Sequence, residues 1–213
     1  MKKIVTLMLL VLGMSLTGCA NMSEENKEQK EEIDMTKLPY VAHLNEDNPV
    51  ITIKVKDFGV MEAQLFPSVA KLTVDNFISY IEENAFNNSG FHRIIETFMI
   101  QGGIVKNTKS PIKGEFLSNG VENNLRHFRG VLSMARTIVK DSATSQFFIM
   151  HETSPHLDGQ YASFGGLISG FNVLDKIATV ETDRNDAPLS PVIIESITVN
   201  LNGYKKWLFY IKN

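Results

Sequence analysis

Phe91-His92-Arg93-Ile94-Ile95-Glu96-Thr97-Phe98-Met99-Ile100-Gln101-Gly102-Gly103 is a short apolar segment punctuated by turn signals and closed by two glycines. Similar short apolar segments recur at 131–135, 146–150 and 161–168, each bounded by turn residues. Upstream, Ile51-Thr52-Ile53-Lys54-Val55-Lys56 alternates with period two, as does Met61-Glu62-Ala63-Gln64-Leu65 after a turn at Asp57 to Gly59, which predicts a hairpin with one buried face. Ile197-Thr198-Val199-Asn200-Leu201 alternates in the same way and is the last strong strand. Two segments change period. Val74, Phe77, Ile78 and Ile81 fall at helical spacing, with Thr73 as candidate N-cap and an end near Asn84. Val173, Leu174, Ile177 and Ala178 give a second helix, with Asn172 as candidate cap. Many short strands with two isolated helices predict a barrel or sandwich rather than a βαβ sheet.

Composition narrows the function. Hydrophobic residues make up 43% and charged residues 21% of the 213, too apolar for wholesale disorder. A formal net charge of -3 argues against a dedicated nucleic-acid binder. One cysteine rules out an intrachain disulfide framework and a CxxC site. His92, His127, His151 and His156 show no HExxH or other zinc spacing. No phosphate-cradling GxxxxGK[ST] or GxGxxG follows a strand, and no GxSxG elbow presents a nucleophile.

The N-terminus reads as an address. Lys2 and Lys3 precede an apolar run from Ile4 to Leu16, too short for a comfortable membrane span and ending in small residues, the anatomy of a secretory signal. Leu16-Thr17-Gly18-Cys19 resembles a bacterial lipobox, which implies cleavage before Cys19 and lipidation of its thiol. Residues 1–18 are therefore expected as signal peptide and 19–40 as lipidated cysteine and charged flexible tether, dense in Glu and Lys with no apolar face. The folded domain is expected over 41–201. A tail over 202–213 carries the apolar cluster Trp207-Leu208-Phe209-Tyr210-Ile211. The location implied is the outer, extracytoplasmic face of a membrane, with the lipid on Cys19 as anchor.

Taken alone, Arg93 reads as a surface salt-bridge residue, and Phe98, Met99 and Phe148 as core. Four blocks in order change that reading: the opening stretch, Gly130-Val131-Leu132-Ser133-Met134-Ala135-Arg136, Ser145-Gln146-Phe147-Phe148-Ile149, and Leu157-Asp158-Gly159-Gln160-Tyr161-Ala162-Ser163-Phe164-Gly165. Together they resemble the cyclophilin family of peptidyl-prolyl cis/trans isomerases, in its bacterial branch, from about Val50 to Val199. The resemblance implies a mainly β fold, an eight-stranded closed antiparallel barrel capped by two α-helices, with a groove on the outer face. It implies Arg93 as the catalytic arginine and Gln101 and Gln146 as polar groups orienting arginine and substrate backbone. It places Phe98, Met99, Phe148 and Leu157 in a proline pocket, and Ala135, Arg136 and Thr137 along its rim. His156 stands where the members best known for binding cyclosporin carry tryptophan, Tyr161 where many carry histidine, and Arg136 where asparagine is common. These three positions bear on peptide preference more than on catalysis. The resemblance implies proline-containing polypeptides as substrates and no cofactor or metal. The expected protein is a monomer, and the rival reading is a proline-peptide binding module or holdase with little turnover.

Overall fold

The alternation over 50–65 folds as a hairpin. In this computed structural model, which describes residues 34–206, β1 (Val50–Val55) pairs antiparallel with β2 (Gly59–Leu65), and Ile51, Ile53, Val55, Met61, Ala63 and Leu65 are buried. The connecting turn uses positive φ at Asp57 (65°) and Gly59 (121°), backbone that Asp and Gly accept readily. The remaining elements are α1 (Lys71–Glu82), β3 (Ser89–Phe91), β4 (Arg93–Ile95), β5 (Met99–Gly102), β6 (Val131–Met134), β7 (Phe147–Met150), β8 (Ser163–Ser169), α2 (Phe171–Ala178) and β9 (Val192–Asn200).

All strand pairs are antiparallel, in the order β3-β9-β1-β2-β8-β6-β7-β5-β4. The two edge strands of that order, β3 and β4, are neighbours in sequence, separated by His92 alone. The His92 N–H donates to the Gln101 carbonyl on β5 at 2.9 Å, so the sheet returns to its own start. Counted as one bent strand, residues 89–95 make the expected eight-stranded barrel. Closure removes the exposed edges that an open sheet would leave.

The interior is aromatic. Phe77 of α1 meets Phe86, Phe147 and Phe164 at ring-centroid distances of 5.0, 5.1 and 5.1 Å, within the range where tilted and edge-on pairs are favourable. Strands β5, β6 and β7 carry apolar residues on both faces. Ile100, Leu132, Phe147 and Ile149 belong to this interior, whereas Met99, Val131, Phe148 and Met150 belong to a second apolar cluster on the other face. Gly103 follows β5 at φ 86°, and a Cβ there would sit 2.6 Å from the Ser145 carbonyl oxygen, which explains the glycine at the end of the opening stretch.

Several sequence expectations shift. Thr73 lies inside the first turn of α1, not at its cap, and Ala70 in the cap position offers no side-chain acceptor. The Glu115 carboxylate does the capping from a distance, accepting from Leu72 N (3.1 Å), Thr73 N (2.7 Å) and Thr73 Oγ1 (2.7 Å). The α2 cap is Gly170 in the left-handed region, with Asn172 one position inside the helix. The tether boundary at 40 falls too late. Leu38 and Tyr40 are buried, the Tyr40 hydroxyl donates to the Leu167 carbonyl at 2.7 Å, and its ring covers Gly166, where a Cβ would come within 2.5 Å. At the other end Tyr204 packs against the core and donates to Asp75 Oδ1 at 2.6 Å. The signal segment, Cys19, tether residues 20–33 and the Trp207-to-Ile211 cluster lie outside the described residues.

Candidate active site

Strand register sets the site. Arg93 on β4 pairs with Gln101 on β5, Gln101 with Phe148 on β7, and Phe148 with Ser133 on β6. Directly paired residues project from the same face, so these four form one row across the outside of the barrel. The neighbouring row supplies Met99 and Met150. Above the rows lies an open groove of about 230 Å³ lined by Arg93, Phe98, Met99, Gln101, Ala135, Arg136, Phe148, Leu157 and Tyr161. Its floor is apolar, since Met99, Phe148 and Leu157 are buried members of the second cluster and Phe98, Ala135 and Tyr161 pack against them. Phe148 and Tyr161 meet edge to face at 5.9 Å.

The polar groups stand at two ends. At one, Arg93 Nε donates to Asp186 Oδ2 at 3.1 Å, and Gln101 Nε2 donates to Gln146 Oε1 at 3.1 Å. At the other, Arg136 donates to the Gln160 carbonyl through Nε (3.2 Å) and Nη2 (3.0 Å) and to the Thr137 carbonyl through Nη1 (2.9 Å). The Arg136 guanidinium also lies 4.6 Å from the Tyr161 ring centroid and 5.2 Å from that of Phe116, a cation–π stack that fixes its plane.

Two networks hold the apolar floor. His127 has its ring stacked on Phe148 (6.1 Å, 18°), with Nδ1 3.0 Å from Asp158 Oδ1 and Nε2 3.1 Å from Ser133 Oγ. Burial pushes the His127 pKa below its ordinary value, with Asp158 acting in the opposite direction. The order Ser-His-Asp resembles a hydrolytic triad, but Ser133 is fully buried and no substrate reaches it. The network instead ties Phe148 to the residue next to Leu157. In the second network the His151 Nδ1 accepts from Thr97 N at 3.0 Å, while Nε2 lies 3.1 Å from Asp175 Oδ1. Thr97 has φ 62°, an outlier for a β-branched residue, and the bond holds this strained turn directly before Phe98. Among the described residues, no three His, Cys, Asp or Glu side chains assemble as metal ligands would.

Known proteins match this sequence and fold. The family described as cyclophilin type peptidyl-prolyl cis-trans isomerase matches residues 50–199. Peptidyl-prolyl cis-trans isomerase B of Escherichia coli is 41% identical over 160 residues, covering 67% of this chain and 94% of the relative. Peptidyl-prolyl cis-trans isomerase A of Dickeya dadantii is 40% identical over 156 residues, covering 66% and 80%. The chain belongs to the cyclophilin-type peptidyl-prolyl cis-trans isomerases. A crystal structure of a Cryptosporidium parvum cyclophilin superposes with a TM-score of 0.66 at 29% identity, over 72% of this chain and 98% of that one. A second structure of that protein, described as in the presence of dipeptide ala-pro, gives 0.65 at 28% identity, over 71% and 98%.

Within this cyclophilin, nine of the residues singled out from sequence line the one groove. Three others stand back from it. Gln146 reaches the site through Gln101, and His156 stacks on Phe98 from outside (5.7 Å, 28°). Thr137 is exposed beside Arg136 and does not line the groove itself, and its N–H and Oγ1 both bond Ser142 Oγ at 2.9 Å within its own loop. Sequence reading missed Asp186, His127, Asp158 and His151. Gln101 also bonds Gln146 rather than Arg93, so the side chain that holds the arginine is Asp186.

Proposed function

We propose that this cyclophilin accelerates exchange about Xaa-Pro bonds by donating an Arg93 N–H to the proline nitrogen of a twisted amide. The reading rests on one observation: a guanidinium and an apolar slot open into the same groove. Rotation about an amide faces a barrier of about 18–20 kcal/mol because the C–N bond has partial double-bond character. At the twisted transition state conjugation is lost and the nitrogen regains a lone pair. A donor aimed at that lone pair binds the transition state better than either planar state, which is what catalysis requires. Arginine is always charged and holds its N–H groups in a fixed fork. The slot of Phe98, Met99, Phe148 and Leu157 grips the proline ring while the rest of the peptide turns, and Gln101, held from behind by Gln146, meets its backbone. The Ala-Pro dipeptide present with the Cryptosporidium parvum cyclophilin is of the chemistry this slot would take.

The lipobox-like Leu16-Thr17-Gly18-Cys19 supports a lipid-anchored enzyme on the extracytoplasmic face. Its substrates there are secreted or surface polypeptides, whose folding uncatalysed Xaa-Pro exchange slows to tens of seconds. Two measurements test the reading. In NMR exchange of an Ala-Xaa-Pro-Phe peptide, Arg93→Ala is expected to lower kcat/KM about 100-fold, the usual loss when one oriented donor is removed. Peptide binding by folded wild type without acceleration would favour a holdase instead. In a bacterial host fed an alkyne-tagged fatty acid, the wild-type chain is expected to take up label and pellet with membranes. The Cys19→Ala variant should do neither, and equal labelling of the two would sink the anchor.

A further inference from the structure

Among the described residues, the Arg93 side chain has one hydrogen-bond partner, Asp186, which it meets through Nε and not through the terminal nitrogens. The same residue grips the backbone beside it, since the Asp186 carbonyl accepts from Ile94 N at 2.8 Å. Asp186 thus clamps both the side chain of Arg93 and the strand that carries it. The clamp is itself braced. Asp183 Oδ1 accepts from Asn185 N (2.8 Å) and Ala187 N (3.0 Å), and the Asp186 N–H donates to the Asp183 carbonyl at 3.0 Å. Asp186 sits at φ 64°, a left-handed conformation that Asp and Asn tolerate better than other residues with a side chain.

The pair is too exposed to matter much for stability. The side chains of Arg93 and Asp186 are 41% and 39% exposed, and ion pairs in such places add little to folding. Its effect lies in order. An arginine side chain is rich in rotamers, and ordering it costs entropy. Binding Nε to a braced carboxylate fixes the guanidinium before the peptide arrives and leaves both Nη groups without a protein partner among the described residues.

We propose that Asp186 is a positioning residue for the isomerase reaction, its carboxylate holding Arg93 by Nε so that the Nη donors are presented to the groove. The proposal rests on Arg93 acting as the donor, as read above. The full chain would be assayed by NMR exchange at limiting and saturating peptide, so that kcat and KM are separated. Two variants suit the left-handed backbone: Asp186→Asn keeps the shape and loses the charge, and Asp186→Gly removes the side chain. The expected result is a fall in kcat of about threefold for Asp186→Asn and about tenfold for Asp186→Gly, with KM changed less than twofold. The decisive arm is the pair of doubles. In an Arg93→Ala background either Asp186 substitution should lower kcat no further, because the group it positions is gone. An unchanged kcat in both single variants overturns the proposal, as does an equal loss with and without Arg93, which would make Asp186 a prop of the groove. If Arg93→Ala itself retains wild-type exchange, the donor reading fails first and the positioning role falls with it, a result distinct from the other two. Amide shifts over Arg93–Ile95 and Asp183–Pro188 report whether Asp186→Gly keeps the loop. If it does not, the Asp186→Asn cycle alone decides.

Discussion

Strands β5, β6 and β7 build two apolar surfaces from one stretch of backbone, and the surfaces differ in what covers them. On the inner face Phe147 is sealed among Phe77, Phe86 and Phe91. One residue on, Phe148 points outward and is roofed only in part, by His127 on one side and Tyr161 on another. The inner face is closed by a helix, the outer by turns such as 155–157 that leave a slot between them. The period of two sends alternate side chains to opposite faces, so one apolar run makes both a core and a binding floor. Burial alone does not tell the two apart, because both phenylalanines are buried. The distinction lies in whether protein fills the space above the ring.

Truncating each ring should break that symmetry most strongly. Phe147→Ala leaves a cavity walled by other aromatic rings that cannot collapse into it, and is expected to destabilise by about 3–5 kcal/mol. Phe148→Ala opens onto a slot already in contact with solvent, so only the transfer contribution of about 2 kcal/mol is lost. The order should reverse for catalysis. Phe148→Ala is expected to lower kcat/KM for the Xaa-Pro peptide about tenfold, equivalent to about 1.4 kcal/mol of lost ring contact. Folded Phe147→Ala should stay within about threefold of wild type. Urea melts and NMR exchange on the same samples check both. Equal stability losses would mean that the slot is as closed as the core.

The same contrast explains how much was legible in the sequence. Alternation over 50–65 and 197–201 and the helical spacing at 74–81 report contacts that recur every two to four residues, so local pattern revealed them. In the central strands both faces are apolar, and pattern could not separate core from floor; the resemblance of four blocks did so. What escaped were single contacts between distant segments. Asp186 meets Arg93 across 93 positions, Glu115 caps a helix 42 positions earlier, and Tyr40 lies on β8 across 127. None of these repeats, so none leaves a period to read. Thr73 misleads for the same reason: a threonine at a helix start is the local signal, while the carboxylate that caps the helix is remote in sequence. His127, Ser133 and Asp158 likewise meet only once the barrel brings 127–133 and 158 together.

His127 gives the smallest effect and the sharpest test of how the outer face is held. Burial against Phe148 disfavours the charged form of its ring and lowers its pKa in the folded state, with Asp158 opposing. His43 and His92 are also shifted down, again by burial. The unfolded chain takes up these protons near the ordinary histidine pKa of about 6.5, before the folded chain does. Stability is therefore fully present above that pH and falls as the pH drops through it toward the lowered folded values, by at most about 1.4 kcal/mol per pH unit for each histidine. Urea midpoints are expected to drop between pH 7.5 and pH 5.5. In His127→Asn, which keeps polar atoms near Asp158 but does not titrate, the drop should shrink, with the shares of His43 and His92 remaining. A drop unchanged by the substitution would show that His127 binds its proton equally in both states, with Asp158 offsetting the burial. The floor under Phe148 would then accept either protonation state of the ring at equal cost.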